Sequence, residues 1–426
     1  MVDSTSACRL RPTAPPTTRR SRRALASWRR CVFGAHVIAP GVALVLAACS
    51  DGGNSPAASP TPIASAPAPN TPASPATAPA PASSPSPSPS PAPSPSPSPA
   101  PTAQPVASNH CAAFPNGGAG AITGSLAPSV SNPSGGALSY SLVSQPARGT
   151  LSLDGATGAY SYTPNTNARG YADTFTYRVS GSSGAASQAS AKIVYGTPRI
   201  MPLGDSITHG VVSYSDATGD LPADPFKIAY RKRLQELLAN GGYAFDFVGS
   251  MSTGSSAGIA DPDHEGHSGF SSTDIDGNIA GWIAGAAPDI VLLHIGTNDH
   301  SADVGGVDGI LAKVGAWAAN PANRPVGLVL AKIIDQRPDS PLFNAVQPFN
   351  TNLASLHASR WADGVSGNPR LRVRLADMFS AIDRNADMTP ISIDVTGLHP
   401  TASGFDKMAQ VWYDTLVGEG FVSRCP

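Results

Sequence analysis

The chain has 426 residues, 28 of them basic and 29 acidic, giving a formal net charge of −1. That balance excludes the electrostatic footprint of a nucleic-acid binder, and the length exceeds one ordinary domain. Nineteen of its 43 prolines lie between residues 55 and 105, so the composition changes sharply along the chain.

The positive charge comes first, in Arg19, Arg20, Arg22, Arg23, Arg29 and Arg30. The apolar run from Val32 to Ala48 follows without an acidic residue. It is too short and too interrupted by Gly and Pro for a transmembrane helix, and residues 1–48 read as an export signal. The run ends Leu46-Ala47-Ala48-Cys49, which resembles a bacterial lipobox. That resemblance implies removal of residues 1–48 and lipidation of Cys49, making a membrane the partner of the N-terminus. A short anchor that happens to end in cysteine is the alternative. Ser21-Arg22-Arg23 leaves the export route open between the general and twin-arginine systems, and Ser50 favours the outer membrane of a Gram-negative host. Of the five cysteines, Cys8 and Cys31 fall in the removed part. Cys111 and Cys425 remain, and an oxidising compartment makes them a predicted disulfide, with two free thiols as the alternative.

Residues 49–108 carry the lipid cysteine and then almost nothing but Pro, Ser, Ala and Thr. Such a segment buries too little apolar surface to offset chain entropy and is expected to be a disordered linker. Alternating Pro and Ser favours polyproline II, so roughly 60 residues would reach on the order of 150 Å.

From 109 to 196 short stretches alternate apolar with polar residues: Leu138 to Leu142, Thr150 to Leu153, Tyr160 to Tyr162 and Phe175 to Val179. Gly, Asn and Pro separate them, which predicts an all-β sandwich. The segments Gly158 to Pro164 and Asp173 to Tyr177 resemble bacterial immunoglobulin-like or cadherin-like modules, implying a spacer or binding module. Its tyrosines belong either to the core or to a sugar-binding face, with the core favoured.

Residues 197–426 alternate strands with helices. Apolar strands are expected at Arg199 to Leu203, Ala244 to Val248, Ile290 to Ile295, Val326 to Ile333 and Leu371 to Met378. Between the first two, Phe226, Tyr230, Leu234, Leu237 and Leu238 share one face of a predicted helix over 226–240, stopped by Gly241-Gly242. The expected fold is α/β: a three-layer α/β/α domain with a five-stranded, mainly parallel sheet. Reactive groups in such sheets lie beyond the carboxyl ends of strands.

Three segments fall there. Gly204-Asp205-Ser206 follows the first strand, where a serine presents its hydroxyl and backbone N–H ahead of a helix. Gly296-Thr297-Asn298-Asp299 follows Ile295 and offers an amide donor. Gly397-Leu398-His399-Pro400 precedes the last helix and offers a base. Singly, each is an ordinary turn, cap or structural histidine.

Together they resemble the SGNH, or GDSL-type, hydrolases, over the whole of residues 200–421. Met201 to Gly210 resembles the first block of that family, Gly296 to Asp299 the third and the segment around His399 the last. For the second, Gly269 in Gly266-His267-Ser268-Gly269 is the better match and Gly249 the weaker. The resemblance implies an esterase without metal or cofactor, with Ser206 as nucleophile and His399 as base. The oxyanion would be held by the Ser206 and Gly269 N–H groups and the Asn298 side chain. One position departs: where the family carries Asp, three residues before the histidine, stands Thr396. Either Asp394 takes the role over a bulged loop, or a backbone carbonyl orients the ring of a Ser-His dyad. Asp377 and Asp299 are outsiders.

Asp261 to His267 crowds carboxylates and histidines, as a metal site would. Segments like His264 to Gly269 recur in SGNH members resembling carbohydrate acetyl esterases, so a substrate-side loop is the preferred reading. Asp205 is expected to hold its turn, Trp282, Trp412 and His294 to be core, and His209 and His300 to lie near substrate. The expected substrate is a short acyl ester, foremost acetyl on polysaccharide; the alternatives are a lipase or general carboxylesterase, and a surface glycan-binding protein without catalysis.

Overall fold

A computed structural model describes residues 103–115, 120–165, 172–211, 227–342 and 345–426. The export signal, Cys49 and nearly all of the expected linker lie outside these residues. The linker gives way sooner than the Pro/Ser pattern suggested, because Val106 and Ala107 already form a strand.

Nine strands build the first domain: β1 (Val106–Ala107), β2 (His110–Phe114), β3 (Ile122–Ser125), β4 (Val130–Ser131), β5 (Leu138–Ser144), β6 (Gly149–Leu153), β7 (Ala159–Pro164), β8 (Ala172–Gly181) and β9 (Ala186–Tyr195). A four-stranded sheet in the order β2-β9-β8-β5 accompanies a three-stranded sheet in the order β3-β7-β6, and β1 pairs with β4. Alternate residues point inward, so Tyr140, Tyr160, Tyr162, Phe175, Tyr177 and Val179 are buried and close one core. The tyrosines therefore serve packing rather than an exposed sugar-binding face. The Tyr177 hydroxyl donates to the Ser108 carbonyl at 2.6 Å, giving its polar end a partner.

The second domain comprises β10 (Arg199–Gly204), α1 (Ser206–His209), α2 (Arg231–Asn240), β11 (Asp246–Phe247), β12 (Met251–Ser252), β13 (Asp263–Gly266), α3 (Ser272–Ala286), β14 (Ile290–His294), α4 (Gly305–Ala319), β15 (Val326–Ala331), α5 (Val346–Leu356), β16 (Leu371–Ala376) and α6 (Ala402–Gly418). Its sheet runs β12-β13-β10-β14-β15-β16, with β11 also on β10. Every pairing is parallel except β12 with β13. In β14, Val291 and Leu293 face one apolar cluster with α3, α4 and α5, while Ile290 and Leu292 face another with α2 and α6. Both faces of the sheet are thus covered by helices, the α/β/α arrangement.

Two local expectations change. The five-stranded sheet gains β12 and β13, and one flank of β10 is shared by two short strands. Arg199 and Ile200 pair with β11, whereas Leu203 and Gly204 pair with β13. Asp263 to Gly266 is therefore a strand, not a loop, although its composition hides this. The helix predicted over 226–240 starts only at Arg231, since Ala229 has φ +49, outside the helical region. Phe226 lies outside the described residues. Tyr230, Leu234 and Leu238 do share the buried face, and Gly242, with φ +73, supplies the left-handed residue past the helix end.

Cys111 of β2 and Cys425 of the C-terminal tail form a disulfide with Cα atoms 5.6 Å apart. Beside it the Lys192 ammonium donates to the Arg424 carbonyl at 3.0 Å. The two domains are thus covalently joined at both ends of the second one.

Candidate active site

Sheet register gathers the site. Gly204, the last residue of β10, pairs with Gly266 of β13 on one side and His294 of β14 on the other. Ser206, Gly269 and Asn298 each lie a few residues beyond one of these three, at the same carboxyl end of the sheet. Glycine is required at Gly204 because a Cβ there would meet the His294 carbonyl and the Thr208 hydroxyl. Asp205 caps α1, its Oδ1 accepting from the Ile207 N–H at 2.9 Å. Gly210, at φ +108, ends the helix after one turn. Burial pushes the Asp205 carboxyl up to about 6, opposed by the Ile207 N–H, which favours the ionised form.

The Ser206 hydroxyl lies 2.9 Å from His399 Nε2, and His399 Nδ1 lies 2.9 Å from Asp394 Oδ2. All three are buried, with the serine 5% exposed. A carboxylate on Nδ1 fixes the tautomer: Nδ1 carries the proton, and Nε2 accepts from the serine. Asp394, not a backbone carbonyl, lies against Nδ1 of the ring. The carboxylate reaches it because residues 390–397 turn twice, with the Asp394 N–H bonded to the Pro390 carbonyl and the Gly397 N–H to the Asp394 carbonyl, both at 2.9 Å. Asp394 Oδ2 also accepts from the N–H groups of Leu398 and His399, at 3.2 and 3.0 Å. Burial raises its pKa, but the bonds from His399 and Thr396 outweigh this and hold it down to about 2. It stays a carboxylate at neutral pH.

The expected oxyanion donors are oriented by their neighbours. One amide hydrogen of Asn298 is donated to the Phe270 carbonyl at 2.9 Å, leaving the second to act. Asp299 accepts from the N–H and hydroxyl of Ser272, at 3.0 and 2.5 Å, which ties this turn to the start of α3. Gly269 adopts φ +82, and a Cβ there would meet open space, so the backbone is approachable. Among the described residues, nothing accepts from the backbone N–H of Ser206 or Gly269. Gly249 instead lies where a Cβ would strike the β13 backbone at His264, so its role is close strand packing.

The polar cluster of the second block is a scaffold. His264 accepts from the Gly266 N–H at Nδ1 and donates to the Thr253 hydroxyl from Nε2, at 2.9 and 2.8 Å. Burial drives its pKa far down, so it is neutral. Arg231, fully buried, donates to the carbonyls of Thr208, His209, Lys227 and Pro262, clamping α1 against the loops before α2 and β13. Burial lowers its pKa to about 10, still cationic at neutral pH. Glu265 accepts from the N–H and hydroxyl of Ser250 and from His267 Nε2, at 2.7, 2.6 and 2.6 Å. Among the described residues no three His, Cys, Asp or Glu converge as metal ligands.

Other expected positions separate. His209 bonds to Ser268 at 2.8 Å, in the loop that ends at Gly269. His294 is core, with Nε2 accepting from the Ile334 N–H at 3.2 Å, and burial lowers its pKa to about 4. Trp412 is core, but Trp282 is only half-buried and stacks on His267 at 4.3 Å. His300 is exposed and borders a cavity of about 10 Å³ beside Gly296 and Thr297, lined also by Ile333, Ala345, Val346 and Phe349. Asp377 pairs with Lys332, away from the triad.

Fold and site together define the class: a three-layer α/β/α domain with a Ser-His-Asp arrangement at the carboxyl end of its sheet, behind an all-β sandwich domain. Residues 100–194 match the family described as bacterial Ig domain. The chain is similar to a multidomain esterase of Ruminococcus flavefaciens, 29% identical over 259 residues, which are 52% of this chain and 29% of that protein. It thus spans less than a third of that relative's length. Among solved structures it is similar to a family 3 carbohydrate esterase of Clostridium thermocellum, at 29% identity and TM-score 0.41, covering 52% of this chain and 96% of that one. An acetylxylan esterase variant of Geobacillus stearothermophilus shows 15% identity and TM-score 0.33, over 54% of this chain and 97% of that one.

Proposed function

We propose that the chain is a serine esterase that removes short acyl groups, foremost acetyl, from carbohydrate. The observation that carries this reading is the unbroken bonding from Ser206 through His399 to Asp394. Ser206 Oγ attacks the ester carbonyl carbon while its proton passes to His399 Nε2, and the oxyanion is held by the Ser206 and Gly269 N–H groups and Asn298. Collapse breaks the bond to the leaving alcohol, which takes the proton from His399 and leaves an acyl-enzyme. Water then gives a proton to His399 and attacks the acyl carbon, and the carboxylic acid departs as the proton returns to Ser206. Asp394 stays ionised throughout and steadies the imidazolium.

The short acyl group and the sugar rest on the resemblance of one segment. The segment His264 to Gly269 resembles carbohydrate acetyl esterases, and the similarity to the multidomain esterase supports ester hydrolysis in general. A second reading, hydrolysis of longer acyl esters, is favoured by Ile391, Ile393 and Val395, which are 38%, 54% and 40% exposed on the loop carrying Asp394. Rates on p-nitrophenyl esters from acetate to dodecanoate decide between them. Turnover falling steeply beyond butyrate, and absent in Ser206→Ala, is expected. A maximum at long chains would replace the first reading with the second.

The sequence supports an exported protein lipidated at Cys49 and placed in the outer membrane. Fatty-acid labelling of the full chain that persists in Cys49→Ala would sink that part alone.

A further inference from the structure

Thr396 stands three residues before His399, where the family resemblance places an acid, and its side chain is turned onto the acid that serves instead. Its hydroxyl lies 2.6 Å from Asp394 Oδ1, and its N–H donates to the same oxygen at 3.1 Å. The Leu398 N–H points to the Thr396 hydroxyl oxygen at 3.3 Å, which leaves the hydroxyl proton for the carboxylate. Asp394 Oδ2 faces His399 Nδ1 and also accepts from the Leu398 and His399 N–H groups. The segment has outside support. Ser340 Oγ donates to the Thr396 carbonyl at 2.6 Å, and the Arg337 N–H to the Gly397 carbonyl at 2.9 Å.

We propose that Thr396 is a positioning residue of the triad, whose hydroxyl locks Asp394 with one oxygen toward His399. A carboxylate that arrives from two residues further back sits on a wider turn and can rotate about its last bond. A donor on its far oxygen removes that freedom and resists protonation. The Thr396 bond is among the causes that hold Asp394 ionised, which agrees with this role.

The proposal rests on the esterase reading for its kinetic test, and a second readout frees it from that dependence. In the full chain, Thr396→Val is expected to lower kcat on p-nitrophenyl acetate ~10-fold with KM unchanged, the worth of one ordinary hydrogen bond. Thr396→Ser keeps the hydroxyl and stays within about 3-fold of wild type. Combined with Asp394→Asn, the Val change costs nothing further, because residues acting as a unit are not additive.

Independently of turnover, the His399 Nδ1–H proton resonance, assigned by its loss in His399→Gln, is expected to be sharp and downfield in wild type and Thr396→Ser. It broadens in Thr396→Val. If Thr396→Val unfolds by circular dichroism, Thr396→Ala replaces it. Should wild type hydrolyse no ester, the esterase reading fails and the resonance still decides the role of Thr396. A sharp resonance and full activity in Thr396→Val, or a Ser variant as impaired as the Val one, would overturn the proposal.

Discussion

The two folded domains treat buried charge in opposite ways. Among the described residues 103–196, Asp173 is the one buried acid, and it is surrounded by local donors: the Tyr162 hydroxyl at 3.0 Å and the N–H groups of Ala147 and Arg148 at 3.1 and 2.7 Å. It staples one turn to one strand. In the second domain Asp205, Arg231, His264, Glu265, Asp394 and His399 are all buried and crowd the carboxyl ends of β10 and β13 and the loop before α6. Burying an ionisable group is costly unless it is bonded on every side. The sandwich buries a single such group for shape, while the second domain buries many, six of them in this cluster and others, such as Asp289, Asp335 and Asp387, in ion pairs elsewhere. The contrast predicts that changes in the second cluster act on rate and pH dependence, and changes at Asp173 on stability alone.

The largest effect separates the domains most sharply. Asp394→Ala is expected to cut kcat by ~10³- to 10⁴-fold, because His399 loses its tautomer and the imidazolium its counter-charge. Unfolding temperature is the control, and a loss of rate explained by unfolding would remove Asp394 from the triad. With its pKa held down to about 2, Asp394 contributes stability that is present above about pH 4 and is lost as pH falls through 2.

Asp205 runs the other way. Its folded pKa of about 6 lies above the ordinary carboxylate value. The folded state therefore binds its proton more tightly, and the contribution to stability is full below about pH 4 and lost as pH rises through 6. Two pH units correspond to ~3 kcal/mol as an order of magnitude. Asp205→Asn keeps an oxygen for the Ile207 N–H and removes the charge. The expected outcome is a variant whose urea midpoint no longer falls between pH 4 and 7 as that of wild type does. Parallel curves for the two proteins would show that burial does not govern this carboxyl.

How far each domain was legible follows from the same contrast. The sandwich strands around Tyr140, Tyr160 and Phe175 advertised themselves by alternation, because only their inner faces are apolar. The strands β10, β14, β15 and β16 showed as apolar runs, buried on both sides. Ser206, Asn298 and His399 were readable because each follows an apolar run at a strand end or precedes a helix. Strand β13 was hidden, since Asp263-His264-Glu265-Gly266 is polar throughout, and its burial depends on partners distant in sequence: Ser250, Thr253 and the β10 edge. The reach of Asp394 was equally hidden, as it depends on how residues 390–397 turn. Thr396 gave the one local sign, a hydroxyl where a carboxylate was expected.

The smallest expected effect tests the quiet half of the comparison. Asp173→Ala leaves the Tyr162 hydroxyl and the N–H groups of Ala147 and Arg148 without their acceptor, inside a core closed by Tyr162, Phe175 and Tyr177. Leaving buried donors unsatisfied costs about 1–3 kcal/mol. The expectation is therefore a sandwich transition lowered by several degrees with kcat and KM on p-nitrophenyl acetate unchanged. Thermal scans and kinetics on the same sample check both halves. A fall in kcat would show that the sandwich and the second domain, joined by the disulfide between Cys111 and Cys425, are coupled, and that the two ways of using buried charge are not independent.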